Sequence, residues 1–263
     1  MKEGSTMNDK SALVHYEVRD DVGYLKLTAP VLNVLSGQMM EDIAAILEEA
    51  TNDESLKAFA VTAEGKAFSA GADVGEHQPE QAPAMIAAFS TMFRCFGQLE
   101  IPVVMAVDGA ALGAGFELVM MADVLLATER AKFGQPEIRL GFFAPVGVAW
   151  LPRLVGHARA LEITCSGRSY DAQTAHEWGL VSRVVPCEQL EAALEETLAD
   201  FRKASPLVMR MNVRMIKRLE GKSFEEARLE AERVFLEELM KTRDVKEGIA
   251  SFFEKRKPEW QNR

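Results

Sequence analysis

Cysteine is scarce, with Cys95, Cys165 and Cys187 the only three in 263 residues, and none stands in a paired spacing. An odd count without a framework excludes a disulfide scaffold and points to free thiols in a reducing compartment. Each is expected to be a small buried hydrophobe. Histidine is equally thin: His15, His77, His157 and His176 lie far apart in the chain. With no HExxH and no clustered ligand pair, no metal site is expected, and each histidine is read as a surface or core residue. Positive charge is in the minority, 30 Lys and Arg against 40 Asp and Glu, for a net charge of −10. An acidic surface repels phosphate backbones, so nucleic acid is not an expected partner. No apolar run is long enough for a signal peptide or a membrane span, which makes the cytoplasm the expected location and excludes a membrane partner. A P-loop and a GxSxG elbow are also missing. Gly113-Ala-Gly115-Phe-Glu-Leu118 begins like a dinucleotide fingerprint. However, Leu118 replaces its third glycine and the motif lies mid-chain, so a Rossmann site is set aside.

What is present is a core-forming chain. Hydrophobic residues make up 48% of it and charged residues 27%, which argues for one main folded domain with an appendage. Met1 to Asn8 reads as a loose polar tail, with Met7 a candidate natural start. Val14 to Val18 and Val22 to Leu27 read as a hairpin about Asp20-Asp21, the second run ended by Pro30. Gln38 to Ala50 has helical periodicity, with Met39, Ile43, Ile46 and Leu47 on one face. Ala58 to Thr62, Val103 to Val107 and Val124 to Thr128 read as buried strands. Ala82 to Leu99 reads as a helix, and a further helix is expected over Glu117 to Ala122. This alternation defines an α/β chain. From Cys187 onward the strand pattern stops. Helices are expected over Leu190 to Phe201, Pro206 to Leu219, Ser223 to Leu239 and Val245 to Lys255. Their apolar stripe must be buried on the chain's own core or on another subunit.

Three segments carry the chemistry: Lys66-Ala-Phe-Ser-Ala-Gly-Ala-Asp73, Val107-Asp-Gly-Ala-Ala-Leu-Gly-Ala-Gly-Phe-Glu117 and Phe133-Gly-Gln-Pro-Glu137. An apolar loop is expected to follow the third, through Gly147. The small residues Gly71-Ala72 and Gly113-Ala114-Gly115 leave backbone N–H groups open to a ligand, the second set at a helix N-terminus. Two such amides converging on one oxygen make an oxyanion hole. Glu117 and Glu137 are flanked by apolar residues, and an acid so placed has a raised pKa and exchanges protons near neutrality. Taken singly, each acid is equally well explained as a helix-start or turn-capping residue.

The stretches AFSAGAD, GAALGAGFELVMMAD…FGQPEI, DAQTAHEWGLVSRVVP and EGIASFFEKRKPEW together resemble the enoyl-CoA hydratase/isomerase (crotonase) superfamily, from about Val14 to Trp260. The resemblance implies a spiral of ββα repeats over 14–189 that holds the active site. It implies a helical trimerisation region over 190–263, behind a loose tail at 1–13, and a homotrimer or homohexamer. It further implies an acyl-CoA thioester as substrate with no separate cofactor, and an oxyanion hole from the Ala72 and Ala114 amides. Glu117 and Glu137 would activate water and move the proton beside the carbonyl. The acyl-CoA would be bound by Ala70, Gly71, Asp73, Val74, Gly113, Phe142, Phe143 and Val146. Phe252 and Lys255 would reach the nucleotide end from a neighbouring subunit, with Lys255-Arg256-Lys257 as a basic patch near the phosphates.

Two departures from the family pattern stand out. Ala114 replaces a usual glycine, tolerable only at negative φ. Phe142-Phe-Ala-Pro-Val-Gly-Val-Ala-Trp-Leu-Pro152 replaces a glycine-rich loop. With Pro30-Val-Leu-Asn-Val-Leu35, the second departure resembles the branch that hydrates cyclohexa-1,5-diene-1-carbonyl-CoA in aromatic acid breakdown, where water adds to the far end of the conjugated diene. A straight-chain 2-enoyl-CoA hydratase, a double-bond isomerase and a non-catalytic scaffold on the same fold are the alternatives.

Overall fold

Residues 13–29 and 31–263 are described by the computed structural model. Apart from Leu13, the tail expected over 1–13 lies outside these residues, as does Pro30. β1 (Val14–Arg19) and β2 (Val22–Leu27) form the expected hairpin. Asp20 and Asp21 both adopt left-handed φ, 49° and 61°. A two-residue turn of that kind matches strand twist, and aspartate tolerates it better than most residues do. α1 (Gly37–Asn52) is capped by Ser36, whose hydroxyl accepts from the Met39 amide, while the Glu76 carboxylate accepts from Gly37 N at 2.9 Å. Two of the four orphan amides of its first turn are thus satisfied, one locally and one from a distant segment.

Strand pairs and helices then alternate. β3 (Ala58–Ala63) and β4 (Ala67–Ser69) lead to α2 (Ala82–Gln98). β5 (Val103–Val107) and β6 (Ala110–Leu112) lead to α3 (Ala114–Val119). β7 (Val124–Thr128) and β8 (Lys132–Gly134) lead to α4 (Pro145–Val155) and α5 (His157–Ser166). β9 (Ser169–Asp171), α6 (Ala172–Glu177) and β10 (Arg183–Val185) complete this part. β3, β5 and β7 join β1, β2 and β10 in one six-stranded sheet, ordered β1-β2-β3-β5-β7-β10, while β4, β6 and β8 join β9 in a four-stranded sheet, ordered β4-β6-β8-β9. All neighbours run parallel except β1–β2 and β8–β9. This is the expected α/β spiral, and the continuous apolar runs of β3 and β5 follow from burial on both faces.

The far side of the larger sheet is covered by α7 (Leu190–Arg202), whose Ala193, Leu194 and Leu198 pack on Tyr24, Ala60 and Val104. Burying a leucine in this way contributes roughly 1.5–3 kcal/mol. α8 (Pro206–Leu219), α9 (Phe224–Glu237) and α10 (Arg243–Glu254) follow. Ser223 and Glu226 close a reciprocal capping box at the start of α9. Arg210 of α8 is buried and donates to the carbonyls of Asp53 and Leu56, which ties these helices to the core. Much of their apolar stripe faces outward instead: Phe224 is 82% exposed, and Phe252 and Phe253 are each 77% exposed.

Three expectations need correction. α3 begins at Ala114, not Glu117, because Gly113 at φ 56° turns the chain one residue earlier. The apolar loop expected through Gly147 is helical from Pro145. A proline at the first helical position loses no bond there, whereas Pro152 forfeits the bond its N–H would make to the preceding turn. Of the three free thiols only Cys95 is buried; Cys165 is exposed near the end of α5, and Cys187 is half-buried after Pro186.

α3 approaches β4 so closely that a methyl on Gly115 would lie 2.6 Å from both Ser69 Cβ and the Ser69 carbonyl oxygen. Gly115→Ala is therefore expected to lower unfolding free energy by about 1–3 kcal/mol, read by urea denaturation. An unchanged midpoint would mean that the two segments are not in contact.

Candidate active site

The site begins where β4 and β6 end. Their parallel pairing sets Ala67 against Ala110 and Ser69 against Ala111. Past these strands the chain continues into Gly71-Ala72 on one side and Gly113-Ala114 on the other. Gly71 adopts φ 107°, and a side chain there would meet the Leu112 carbonyl at 3.1 Å and stand 3.7 Å from the Ala114 amide. Only glycine lets the two segments come this close. Neither the Ala72 amide nor the Ala114 amide donates a hydrogen bond among the described residues. Ala114 is the first residue of α3 and has no positive φ; the strained conformation belongs to Gly113. An alanine here is therefore unstrained, and this departure leaves the amide in place.

Glu117 lies on α3 and is 2% exposed. Its Oε1 accepts from Val146 N at 2.7 Å and Gly147 N at 2.8 Å, in the first turn of α4. Ala144, the residue before that helix, offers no side-chain cap, so the buried carboxylate of Glu117 serves in its place. Burial raises the Glu117 pKa to about 7, with the charge of Glu137 adding to the shift and the two amide donors opposing it. Glu137 opens a short 3₁₀ turn, Pro136–Leu140. Burial raises its pKa as well, and His77 acts in the opposite direction. Gln135 is 1% exposed, and in the amide orientation that satisfies both groups its nitrogen donates to both Glu137 oxygens at 2.9 Å. A Cβ on Gly113 would lie 2.8 Å from Glu137 Oε1, so this glycine both turns the chain and makes room for the acid.

Both acids and both open amides belong to one cavity of about 360 Å³. Ala70, Gly71, Ala72, Val74, Gly113, Ala114, Glu117, Glu137, Phe142 and Phe143 all line it. Asp73 instead caps the following turn, accepting from Gly75 N at 2.8 Å. Val146 contributes through its amide to Glu117. Phe252 and Lys255 do not line this cavity. Phe252 borders a second, apolar groove with Val208 and Trp260, and Lys255 ends α10 at φ 54°. The expected basic patch is partly neutralised, since Arg256 pairs with Glu247 and Glu254.

Sequence reasoning missed several wall residues. Met85, Ile86 and Phe89 of α2 line the cavity, and their helical spacing could have marked one face. His77, expected at the surface or in the core, lines the cavity too. Among the described residues, no helix is long and apolar enough to cross a membrane.

Residues 17–263 match the model of the enoyl-CoA hydratase/isomerase family. The chain is 37% identical to a probable enoyl-CoA hydratase of Mycobacterium bovis, over 98% of this chain and 100% of that protein. It is 36% identical to cyclohexa-1,5-dienecarbonyl-CoA hydratase of Thauera aromatica, over 91% of this chain and 92% of that one. Among solved structures, an enoyl-CoA hydratase from Bacillus anthracis superimposes with a TM-score of 0.90 at 30% identity, covering 96% of this chain and 100% of its own. Sequence and fold agree over almost the full length, and the chain belongs to the enoyl-CoA hydratase/isomerase family.

Proposed function

We propose that this protein adds water to, or removes it from, a double bond conjugated with the carbonyl of an acyl-CoA thioester. The observation that carries the reading is the meeting of a buried acid, Glu117, a half-buried acid, Glu137, and two amides without partners among the described residues in one apolar cavity. In this reading the Ala72 and Ala114 amides grip the thioester oxygen and hold the negative charge that develops there when water adds. Glu117 and Glu137 divide the proton work, one drawing a proton from water and the other delivering one to carbon. Because the amides supply the electrophilic assistance, the chemistry needs no further cofactor. An isomerase needs one proton-shuttling acid and no water site, so the presence of two acids favours hydration.

The acyl group we propose is cyclic and doubly unsaturated. Pro145 stiffens the start of α4, and Phe142, Phe143 and Leu140 make a bulky apolar wall, suited to a ring. The likeness to the Thauera aromatica enzyme supports the same reading. We also propose that the protein works as a homotrimer or a dimer of trimers. The outward-facing Phe224, Leu236, Phe252 and Phe253 are apolar surface that a lone chain would leave in water. In such an assembly Phe252 and Lys255 would serve a neighbour's nucleotide end.

Glu117→Gln and Glu137→Gln are each expected to lower kcat by about 10²–10⁴-fold in a hydration assay. Full activity in both would remove the acids from the chemistry. The Glu117 pKa also has a stability consequence. The folded carboxyl titrates near 7 and the unfolded one near its ordinary value, so the folded state keeps a proton the unfolded state has lost between these values. Stability from this group is full below that window and falls as pH rises through 7. Glu117→Gln removes the penalty and is expected to stabilise the fold at pH 8, by on the order of 3 kcal/mol at most. The gain should largely vanish near pH 4, below the ordinary carboxyl value, as read by denaturant titration at both pH values; equal effects at both would refute the shift. Finally, cyclohexa-1,5-diene-1-carbonyl-CoA is expected to be hydrated with higher kcat/KM than crotonyl-CoA, with solvent ¹⁸O entering the product. Preference for crotonyl-CoA would end the cyclic reading, and turnover without ¹⁸O would favour isomerisation.

A further inference from the structure

The acid pair and the amide pair leave one polar side chain of the cavity without a task. His77 closes the short 3₁₀ turn Val74–His77 that follows the Ala72 amide, and it is half-buried. Its Nδ1 stands 2.9 Å from the Asp73 carbonyl oxygen. A carbonyl only accepts, so Nδ1 carries the hydrogen, and in the neutral ring Nε2 is left as an acceptor. No partner for Nε2 occurs among the described residues. The ring packs against Phe142 with centroids 5.0 Å apart, which fixes its plane. It is also near enough to Glu137 for a charge on the imidazole to favour that carboxylate. A tautomer set by the backbone, a plane set by an aromatic neighbour and an acceptor in the cavity that also holds the two acids describe a pre-oriented hydrogen-bonding group.

We propose that His77 is a specificity-determining residue whose Nε2 accepts a hydrogen bond from the hydroxyl of the hydrated acyl group, selecting hydroxylated acyl thioesters over saturated ones. This rests on the hydratase reading above and adds a third polar contact to it. The same acceptor would hold the incoming water in the hydration direction, since the hydroxyl oxygen of the product is the oxygen of that water. No proton changes owner at His77; the transfers stay with the two glutamates. The selectivity follows from the surroundings: apart from the two glutamates, which are occupied with the transferring protons, the walls are apolar, and a fixed acceptor gives the hydroxyl a partner that a saturated acyl group does not need.

Two substitutions separate this role from packing. His77→Asn keeps a donor for the Asp73 carbonyl and removes the atom at the ε position, whereas His77→Gln retains an acceptor there. The measurement is kcat/KM for dehydration of the hydroxyacyl-CoA, alongside the inhibition constant of the corresponding saturated acyl-CoA. His77→Asn is expected to lower kcat/KM by about tenfold while leaving the inhibition constant within about twofold, with His77→Gln recovering most of the loss. An unchanged kcat/KM in His77→Asn would overturn the proposal. So would an equal weakening of both ligands, which indicates packing alone, or a failure of His77→Gln to recover. If the unaltered protein dehydrates no hydroxyacyl-CoA, the hydratase reading itself falls and the role of His77 falls with it. If the unaltered protein is active and His77→Asn matches it, only the assignment of His77 is lost.

Discussion

The close approach of two chain segments, Gly71-Ala72 and Gly113-Ala114, governs the rest of the site. Parallel pairing of β4 with β6 brings the segments side by side, and the absence of side chains at Gly71 and Gly115 lets them touch. One consequence is electrostatic: among the described residues, two backbone N–H groups lining the cavity are left without partners. Unpaired donors of this kind are costly when buried, and they persist where a ligand supplies the missing acceptor. The other consequence is positional. Gly113 turns the chain so that α3 begins at Ala114, which puts Glu117 on the first turn of that helix, facing inward.

Glu117 then links the site to the fold. Its carboxylate satisfies the first turn of α4, a helix whose own preceding residue is an alanine. The group proposed to handle protons thus also fixes the wall that shapes the acyl chamber. Burial makes the charged form costly, and the two amides only partly compensate, which keeps its pKa near neutrality. Gln135 does comparable work for Glu137, holding both oxygens of a carboxylate that would otherwise swing on a short turn. The scaffold therefore sets both the positions and the proton affinities of the two acids.

Much of this was legible in the chain. The periodicity of Met39, Ile43 and Leu47 marks α1, and the apolar run at Val103 marks a strand buried on both faces. The small residues around Ala72 and Ala114, with Glu117 and Glu137 beyond them, announced the site because glycine and alanine motifs are local signals. What stayed hidden was non-local. The stretch after Glu137 reads as an apolar loop through Gly147, yet it is helical from Pro145. Its helix depends on a cap supplied from Glu117, 29 residues away in sequence. His77 looked like an isolated histidine because nothing in its neighbours tells that a 3₁₀ turn folds it back beside Phe142. Phe252 and Lys255 do not line the cavity within one chain, and the task expected of them is assigned to a neighbouring subunit.

The central claim is that the open amides of Ala72 and Ala114 receive a thioester oxygen. A crystal structure with a non-reactive acyl-CoA tests it most directly. The account predicts the thioester carbonyl oxygen about 3 Å from both amide nitrogens, with the acyl group between Glu117 and Glu137. A bound acyl-CoA whose carbonyl lies away from both amides would contradict it.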